Sequence, residues 1–446
     1  MRAAILLLFT AAALTAASRT GFRAGTSAID ITPAKPIWMS GYADRNHPSE
    51  GVLTRLWAKA LAIEDSRGTR VVIISTDLLG LTRAITDEVS ARAQKQWGID
   101  RANLLFNSSH THTGPVLTSK MAMFELSSAD QAVVDEYTRA LVDHLYAAIG
   151  AAMADLEPAS IRFTAATAPF AVNRRQFTPK GVILGVQLDG PVDHSVPVIE
   201  ARKADGSLKT ILFGYACHNT TLNHYKLSGD YAGFAQLEVQ KRFPGVNAMF
   251  LLLCGGDQNP NPRRTDALAM QHGASLAAGV AAAVGGSGKQ ELKGRLRAAL
   301  QFTDLGFRVH TRDDFEKEMK HTSHFNRQRA KAMLAAYDSG HPVRTLAYPV
   351  QAIRLGDGPV VVALGGEVVI DYAIRARREF PKEKLVVAGY SNDVACYIPS
   401  KRVLGEGGYE ADFSMVYYGQ PGPFADDVEE RIFSALRRVM TRTGAK

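Results

Sequence analysis

Asn103-Leu-Leu-Phe-Asn107-Ser-Ser-His110-Thr-His112 is the stretch that decides the fold, because in it an apolar segment leads directly into a polar loop. Residues 103–107 predict a buried strand, and Val71-Val-Ile-Ile-Ser75 predicts another one upstream. Residues 81–96, between the two, predict a helix. Strands that alternate with helices are typical of α/β proteins with a largely parallel or mixed sheet.

The same alternation continues along the chain. Further strands are predicted at 210–214, 248–253, 360–364 and 385–388, helices at 130–153 and 368–379, a solvated helix at 310–329 and a surface loop at 285–292. There is no internal repeat and no low-complexity linker. We therefore expect one large domain, residues 18–446, in which mixed β-sheets pack against helices.

The net charge of +8 is small for 446 residues and is spread along the chain. No basic run of the kind found in nucleic-acid-binding tails is present. The composition therefore predicts no nucleic-acid partner. Apart from the N-terminus, the apolar stretches have the length of strands, so no transmembrane span is expected.

The first 17 residues have the layout of a secretory signal peptide. A basic start, Met1-Arg2, precedes an apolar run that ends in the small residues Thr15-Ala16-Ala17. This layout predicts a secreted or periplasmic protein. The three cysteines, Cys217, Cys254 and Cys396, are too few for a disulfide framework, although one bridge could form in an oxidising compartment.

Five polar segments each follow a strand-like run, and in α/β folds ligands bind at the carboxyl ends of strands. The first segment contains His110 and His112. In an extended segment these two side chains point to the same side, so both could bind one metal ion, or one could bind it while the other transfers a proton. A pair of hydrogen-bonding loop histidines is the structural alternative.

The other four segments are centred on His218, Asp257, Glu367 and Tyr397. His218 could be a ligand or an ordinary loop residue, and Asp257 could orient a histidine or simply form a turn. Glu367 could be a metal ligand or a charge at a helix N-terminus. The tyrosines could be packing residues. Together the segments offer the nitrogen and oxygen ligands that a catalytic zinc ion takes.

The order of the motifs resembles that of the neutral/alkaline non-lysosomal ceramidase family. The matching segments are Gly25-Thr-Ser-Ala-Ile-Asp30-Ile-Thr-Pro33, Ser40-Gly41-Tyr42, His110-Thr-His112-Thr-Gly-Pro115, Val172-Asn173-Arg174, Ala216-Cys-His218, Ser228-Gly-Asp230, Gly256-Asp257 with Pro260-Asn261, Gly366-Glu367 and Gly408-Tyr409-Glu410. The agreement extends from about residue 24 to residue 420. This ordered set is far more specific than any one motif.

The resemblance implies a zinc amidohydrolase with one zinc ion per chain. The ligands it implies are His110, His218, Glu367 and Tyr397. It implies that His112 transfers a proton, that Tyr397 and zinc stabilise the oxyanion, and that Arg174 meets the carboxylate of the acyl product. Tyr409 keeps the family's twelve-residue spacing from Tyr397.

Two departures from the family pattern bear on the mechanism. Asn259 stands where the family has a serine with a catalytic role, which excludes a serine nucleophile here but leaves a metal-activated water, and Asn259 could donate a hydrogen bond to the oxyanion. The given sequence also lacks the family's C-terminal β-sandwich domain.

The expected function is hydrolysis of the amide bond of a small-molecule or lipid substrate, such as an N-acylsphingosine, with peripheral membrane contact. The alternatives are a zinc esterase or another hydrolase with a changed pocket, and a non-catalytic zinc-binding secreted protein.

Overall fold

The computed structural model describes residues 21–118, 124 and 126–445. The expected signal peptide, residues 1–17, lies outside the described residues.

The larger sheet is mixed and has the strand order β12-β10-β9-β6-β1-β3-β4-β5, with β14 paired to β6. Its strands are β1 (Phe22–Asp30), β3 (Trp57–Glu64), β4 (Arg70–Thr76), β5 (Leu104–Ser108), β6 (Glu157–Thr167), β9 (Ser195–Lys203), β10 (Leu208–Tyr215), β12 (Asn247–Leu252) and β14 (Gln290–Glu291). Only β4 with β5 and β10 with β12 pair in parallel. The expected mixed sheet is confirmed, whereas a largely parallel one is wrong.

A second sheet has the order β15-β16-β17-β19, and only β17 with β19 pairs in parallel. Its strands are β15 (Leu296–Gly306), β16 (Thr345–Leu355), β17 (Val360–Leu364) and β19 (Leu385–Ala388). Three small sheets join β13 with β7 and β8, β2 with β11, and β18 with β20. These strands are β2 (Gly51–Val52), β7 (Ala171–Thr178), β8 (Gly181–Gln187), β11 (Lys226–Leu227), β13 (Gln258–Pro260), β18 (Glu367–Val368) and β20 (Tyr397–Ile398).

The described residues form helices, several of which cover the outer faces of the two large sheets. They are α1 (Arg83–Trp97), α2 (Ser128–Ala154), α3 (Asp230–Arg242), α4 (Asp266–Gly285), α5 (Arg312–Glu318), α6 (His324–Asp338), α7 (Asp371–Glu379), α8 (Lys401–Glu406) and α9 (Val428–Arg442). Short 3-10 helices span Arg101–Asn103 and Phe413–Tyr418. The charged stretch 310–329, expected to be one helix, is divided between α5 and α6, and the capping box of Thr311 and Asp314 starts α5.

The two large sheets pack face to face between layers of helices. Alternate side chains of β4 show this: Val71 and Ile73 join the core shared with the second sheet, whereas Val72 and Ile74 pack against α1 and α2. Because both faces of the strand are buried, its sequence is a continuous apolar run. The mixed-sheet α/β architecture predicted from the sequence is therefore confirmed.

One helix in the described part of the chain, α4, is long and apolar enough to pass a test for a membrane span, with a mean hydropathy of 1.3. Half of the 18-residue apolar window in α4 is buried, and α4 packs against α3. Cys217, Cys254 and Cys396 are all buried, and none of them forms the disulfide that the sequence left open.

Candidate metal centre and active site

The five polar segments meet because the parallel strand pairs of both sheets end at the same place. β5 leads to His110, β10 to His218 and β12 to Asn259, while β17 leads to Glu367 and β19 to Tyr390. Isolated bridges between Asn107 and Ser391 and between Leu253 and Ala388 join the strand ends of the two sheets. The strand-end argument from the sequence therefore predicts correctly that these segments meet.

Glu367 lies between two histidines at the bottom of the site. Its Oε2 is 2.9 Å from Nε2 of His110 and 2.9 Å from Nε2 of His218, and all three side chains are buried. Glu367 belongs to β18, four residues before α7 begins at Asp371, so the alternative of a charge in the first helical turn is wrong.

The backbone fixes which ring nitrogen of each histidine faces Glu367. Nδ1 of His110 donates to the carbonyl oxygen of Leu79 at 2.6 Å, and Nδ1 of His218 donates to that of Gly255 at 2.7 Å. A neutral imidazole protonated at Nδ1 has a lone pair at Nε2. Two nitrogen lone pairs and a carboxylate oxygen then meet with no hydrogen between them, an arrangement that a bound cation satisfies.

The electrostatics favour this ligand form. Burial and the charge of Arg174 lower the pKa of His218 to about 4, so its ring is neutral at pH 7. Burial alone would raise the pKa of Glu367, but its two neighbours His110 and His218 hold that pKa well below its usual range. Neutral imidazole and ionised carboxylate are ligands that suit zinc.

His112 comes close to the same point, although not for the reason expected. The segment is a turn rather than an extended strand, because His110 has a left-handed φ of 60°. Even so, the Nε2 atoms of His110 and His112 lie 3.1 Å apart. The metal-binding atoms of His110, His112 and His218 all lie within 4.8 Å of one another. Gly41 makes room for this ring, since a Cβ there would lie 2.5 Å from Cγ of His112.

The ring of His112 can accept a proton, although its surroundings disfavour the charged form. Burial, together with the neighbouring His110 and His218, holds its pKa well below the usual value, so the ring is neutral at pH 7. Its Nδ1 is buried and has no hydrogen-bond partner among the described residues.

Tyr397 and Arg174 form the next side of the site. The hydroxyl of Tyr397 is 3.1 Å from Nε2 of His218 and accepts a 2.9 Å hydrogen bond from Nη2 of Arg174. Nη1 of Arg174 lies 3.2 Å from the same His218 nitrogen and 3.5 Å from Oδ1 of Asn259. The guanidinium therefore reaches three of the residues that the sequence assigned to the site.

Glu410, to which the sequence gave no role, holds this guanidinium in place. Its Oε1 accepts from Nε of Arg174 at 2.7 Å, and its Oε2 accepts from Nη1 of Arg175 at 2.6 Å. Burial alone would lower the pKa of Arg174, but Tyr397 and Glu410 raise it well above its usual value. The only sequence signal for Glu410 was its position directly after Tyr409.

Two further tyrosines that the sequence did not assign contact Glu367. The hydroxyl of Tyr418 donates to Oε1, and that of Tyr390 lies 3.5 Å from Oε2. Tyr390 follows a strand end and could have been found in that way, whereas Tyr418 lies in a 3-10 helix with no preceding strand.

Of the two roles that the sequence left open for the Gly-Gly-Asp segment, the structure supports the turn. Asp257 does not orient a histidine: its carboxylate accepts from the backbone N–H of Ile370 at 2.8 Å and from the side chain of Asn173 at 3.1 Å. Gly256 allows two loops to approach closely, since a Cβ there would lie 2.7 Å from the carbonyl oxygen of Glu367. The turn therefore joins the loops of the two sheets.

A cavity of about 330 Å³ opens above the site. Among the predicted residues that line it are His110, His112, Arg174, Asn259, Glu367, Tyr397 and Tyr409. His218 lies behind this surface, in contact with Glu367 and Tyr397. Asn259 is nearly buried, and its Oδ1 accepts from Thr220 at 3.3 Å as well as from Arg174. The structure thus brings all the sequence-predicted site residues together.

Comparison with known proteins assigns the chain to a family. Residues 22–295 match the sequence model described as neutral/alkaline non-lysosomal ceramidase, N-terminal. The chain belongs to this ceramidase family. The neutral ceramidase of Pseudomonas aeruginosa is 28% identical over 252 residues, which are 54% of this chain and 37% of that protein. Neutral ceramidase B of Dictyostelium discoideum is 26% identical over 267 residues, 55% of this chain and 36% of that protein.

Solved ceramidase structures share the fold. The crystal structure of neutral ceramidase from Pseudomonas aeruginosa superimposes with a TM-score of 0.73 and 20% identity, covering 96% of this chain and 75% of that one. A ceramidase complexed with C2 gives a TM-score of 0.74 and 19% identity, covering 96% and 76%. The aligned sequence spans less than two fifths of the length of these two curated ceramidases. Glu367, Tyr397 and Tyr409 lie beyond the family match, so their place in this site comes from the geometry.

Proposed function

We propose that this chain is a zinc-dependent hydrolase that cleaves the amide bond of an N-acyl substrate. The observation that supports the proposal best is the meeting of His110 Nε2, His218 Nε2 and Glu367 Oε2 with no hydrogen between them, at the bottom of a cavity. The names of the ceramidase relatives suggest a ceramide-like lipid amide.

His110, His218 and Glu367 would hold the metal, with Tyr397 at its side. A bound zinc ion lowers the pKa of a water molecule to roughly 7 and polarises a carbonyl group. Tyr418 and the backbone carbonyls of Leu79 and Gly255 orient the ligands, because each of them binds the second polar atom of one ligand side chain.

The remaining groups position and protonate the substrate. His112, neutral and next to the ligands, accepts the proton of the attacking water and transfers it toward the leaving amine. Tyr397 and Arg174 carry the donors that stabilise negative charge developing on the carbonyl oxygen. Asn259 adds the N–H donors of its amide on the same side. Its amide oxygen, Oδ1, is already occupied, because it accepts hydrogen bonds from Arg174 and Thr220.

A membrane surface is the proposed source of lipid substrate. The apolar hairpin, residues 171–188, exposes Phe177, Ile183, Leu184, Val186 and Leu188, and Leu184 also lines the cavity. Exposed apolar patches beside a cavity are typical of protein or membrane contacts. We propose peripheral contact of this hairpin with the bilayer.

Export is proposed from the N-terminal sequence alone. Mass spectrometry of the mature N-terminus tests it, because removal of residues 1–17 would leave a chain that starts at Ser18.

The test of function combines metal analysis with a substrate panel. Purified protein is expected to contain about one zinc per chain and to hydrolyse N-acyl amides, and a chelator is expected to stop the reaction. Turnover of esters alone would indicate a zinc esterase, and zinc without any turnover would indicate a binding protein. Either result would contradict the proposal.

A further inference from the structure

One side of the cavity is a continuous aromatic wall made of Phe124, Phe325, Tyr417 and Tyr409. Successive ring centroids are 6.2, 5.1 and 6.3 Å apart along this order. Tyr409 in turn lies 5.4 Å from the ring of Tyr397. The aromatic wall therefore leads from the cavity mouth to the metal centre and offers an apolar path for an acyl chain.

A second group of lining residues is a basic wall made of Tyr42, Arg263 and Arg264, which all line the cavity. Nη1 of Arg264 donates to the hydroxyl of Tyr42 at 3.1 Å, and its guanidinium carbon lies 5.5 Å from the Tyr42 ring. The family's named substrate, ceramide, gives no reason for two adjacent arginines here, because a ceramide has no anionic group.

Neither arginine of the basic wall is neutralised within the described part of the chain. No carboxylate oxygen lies within 4.0 Å of either one, whereas Arg174 is paired with Glu410. Arg263 is partly buried, and its pKa is lowered first by burial and then by the positive charges of Arg264 and Arg174. Uncompensated positive charge at a partly desolvated site attracts an anionic ligand group.

The backbone of Arg264 is an independent sign that this position is specialised. Its φ is +97°, a left-handed conformation that non-glycine residues rarely adopt. The conformation is held by a 2.7 Å hydrogen bond from its N–H to the carbonyl oxygen of Thr221. Strained residues of this kind cluster at ligand-binding sites.

We propose that the substrate is an N-acyl amine whose amine half has an anionic group, bound by Arg263 and Arg264, while its acyl chain lies along the aromatic wall. This inference rests on the proposed amide hydrolysis and names its substrate class. The orientation of the substrate, with its amine half at the basic wall, follows from the position of His112. The ring centroid of His112 is 4.9 Å from that of Tyr42. The residue that protonates the leaving amine thus adjoins the basic wall.

The test uses two amides that differ only in charge, N-dodecanoylglycine and N-dodecanoylglycinamide. For wild type, kcat/KM is expected to be higher for the carboxylate. The ratio of the two kcat/KM values should fall about tenfold or more in Arg263→Gln and in Arg264→Gln, because each loses a hydrogen bond to a charged group. Arg295→Gln, which removes an exposed arginine outside this cavity, is the matched control and should keep the wild-type ratio.

An unchanged ratio in both cavity variants would overturn the inference. Binding of the same two compounds to chelator-treated protein, measured by calorimetry, separates this failure from that of the proposed function. One outcome is that the protein cleaves neither amide, yet wild type binds the carboxylate more tightly and both variants lose this preference. That outcome would support the inference and overturn only the amide hydrolysis. Equal binding of both compounds would overturn the inference itself.

Discussion

Nε of Arg174 lies 2.7 Å from Oε1 of Glu410, and both side chains are buried. The other oxygen of the same carboxylate binds Arg175, which is buried as well. One carboxylate therefore neutralises two buried guanidinium groups and at the same time aims one of them at Tyr397 and His218.

Glu410→Ala should destabilise the fold and lower activity together. It leaves two buried positive charges without their shared partner, and breaking a buried pair in this way costs about 3–5 kcal/mol. Urea unfolding checks the loss. Glu291→Gln is the control, because Glu291 pairs with Arg162 at the surface and should contribute about 1 kcal/mol or less. Similar losses in both variants would contradict the role assigned to Glu410.

Variants of the two histidines in His110-Thr-His112 should differ in their zinc content. His110→Ala should lose zinc because a ligand is gone, whereas His112→Ala should keep zinc but lose about 10²–10⁴-fold in kcat. Elemental analysis and amide turnover measure the two effects, with the exposed His321→Ala as control. Loss of zinc in His112→Ala would instead indicate a three-histidine site of the kind their close spacing permits.

Asn259 should act as a hydrogen-bond donor and not as a substitute nucleophile. Asn259→Ala should lower kcat/KM about 10²-fold, the usual cost of losing one oxyanion donor. Asn259→Ser, which restores the family residue, should not exceed wild type. Thr220→Val, which removes only a partner of Oδ1, should have a smaller effect. A faster serine variant would show that a serine mechanism is still available.

Lys59 should make stability rise with pH in the alkaline range. Burial lowers its pKa from 10.5 to about 8, although Asp77 partly opposes this shift. Between about pH 8 and pH 10.5, Lys59 is protonated in the unfolded state and neutral in the folded state. The free energy of unfolding therefore increases with pH across this range, by about 3 kcal/mol in total. Urea unfolding of wild type and Lys59→Met should therefore diverge across this window. Parallel curves would show that the ammonium group is not desolvated.

The apolar hairpin should control binding to lipid vesicles. Leu188→Glu and Phe177→Glu should each weaken sedimentation with vesicles by about tenfold or more, since a buried apolar side chain contributes roughly 1.5–3 kcal/mol. Val309→Glu, at a residue that is 94% exposed, is the matched control. Vesicle binding that none of these variants changes would exclude the hairpin as the contact.

The sequence predicted the fold and the place of the site because both depend on strong local signals. Apolar runs such as Val71 to Ser75 and Val360 to Leu364 identified strands, and the rule that ligands bind at strand ends located the histidines and Glu367. The helix break between α5 and α6 was missed, since a charged surface segment has no apolar periodicity to define its ends.

Contacts over long sequence distances could not be predicted. The pairing of Glu410 with Arg174 joins residues 236 positions apart, and no local pattern specifies such a partner. The convergence of His110 and His112 was predicted from strand geometry, whereas it arises from a left-handed residue in a turn. The resemblance to a family supplied the order of the motifs, and the structure supplies their distances.

The centre draws its ligands from both halves of the sandwich, since His110 and His218 follow strands of the larger sheet whereas Glu367 follows a strand of the second. A chain in which only one sheet has formed lacks a complete ligand set. If this centre holds the proposed metal ion, tight binding is a late event in folding, and the bound ion would link two sheets that are otherwise joined mainly by their shared apolar core.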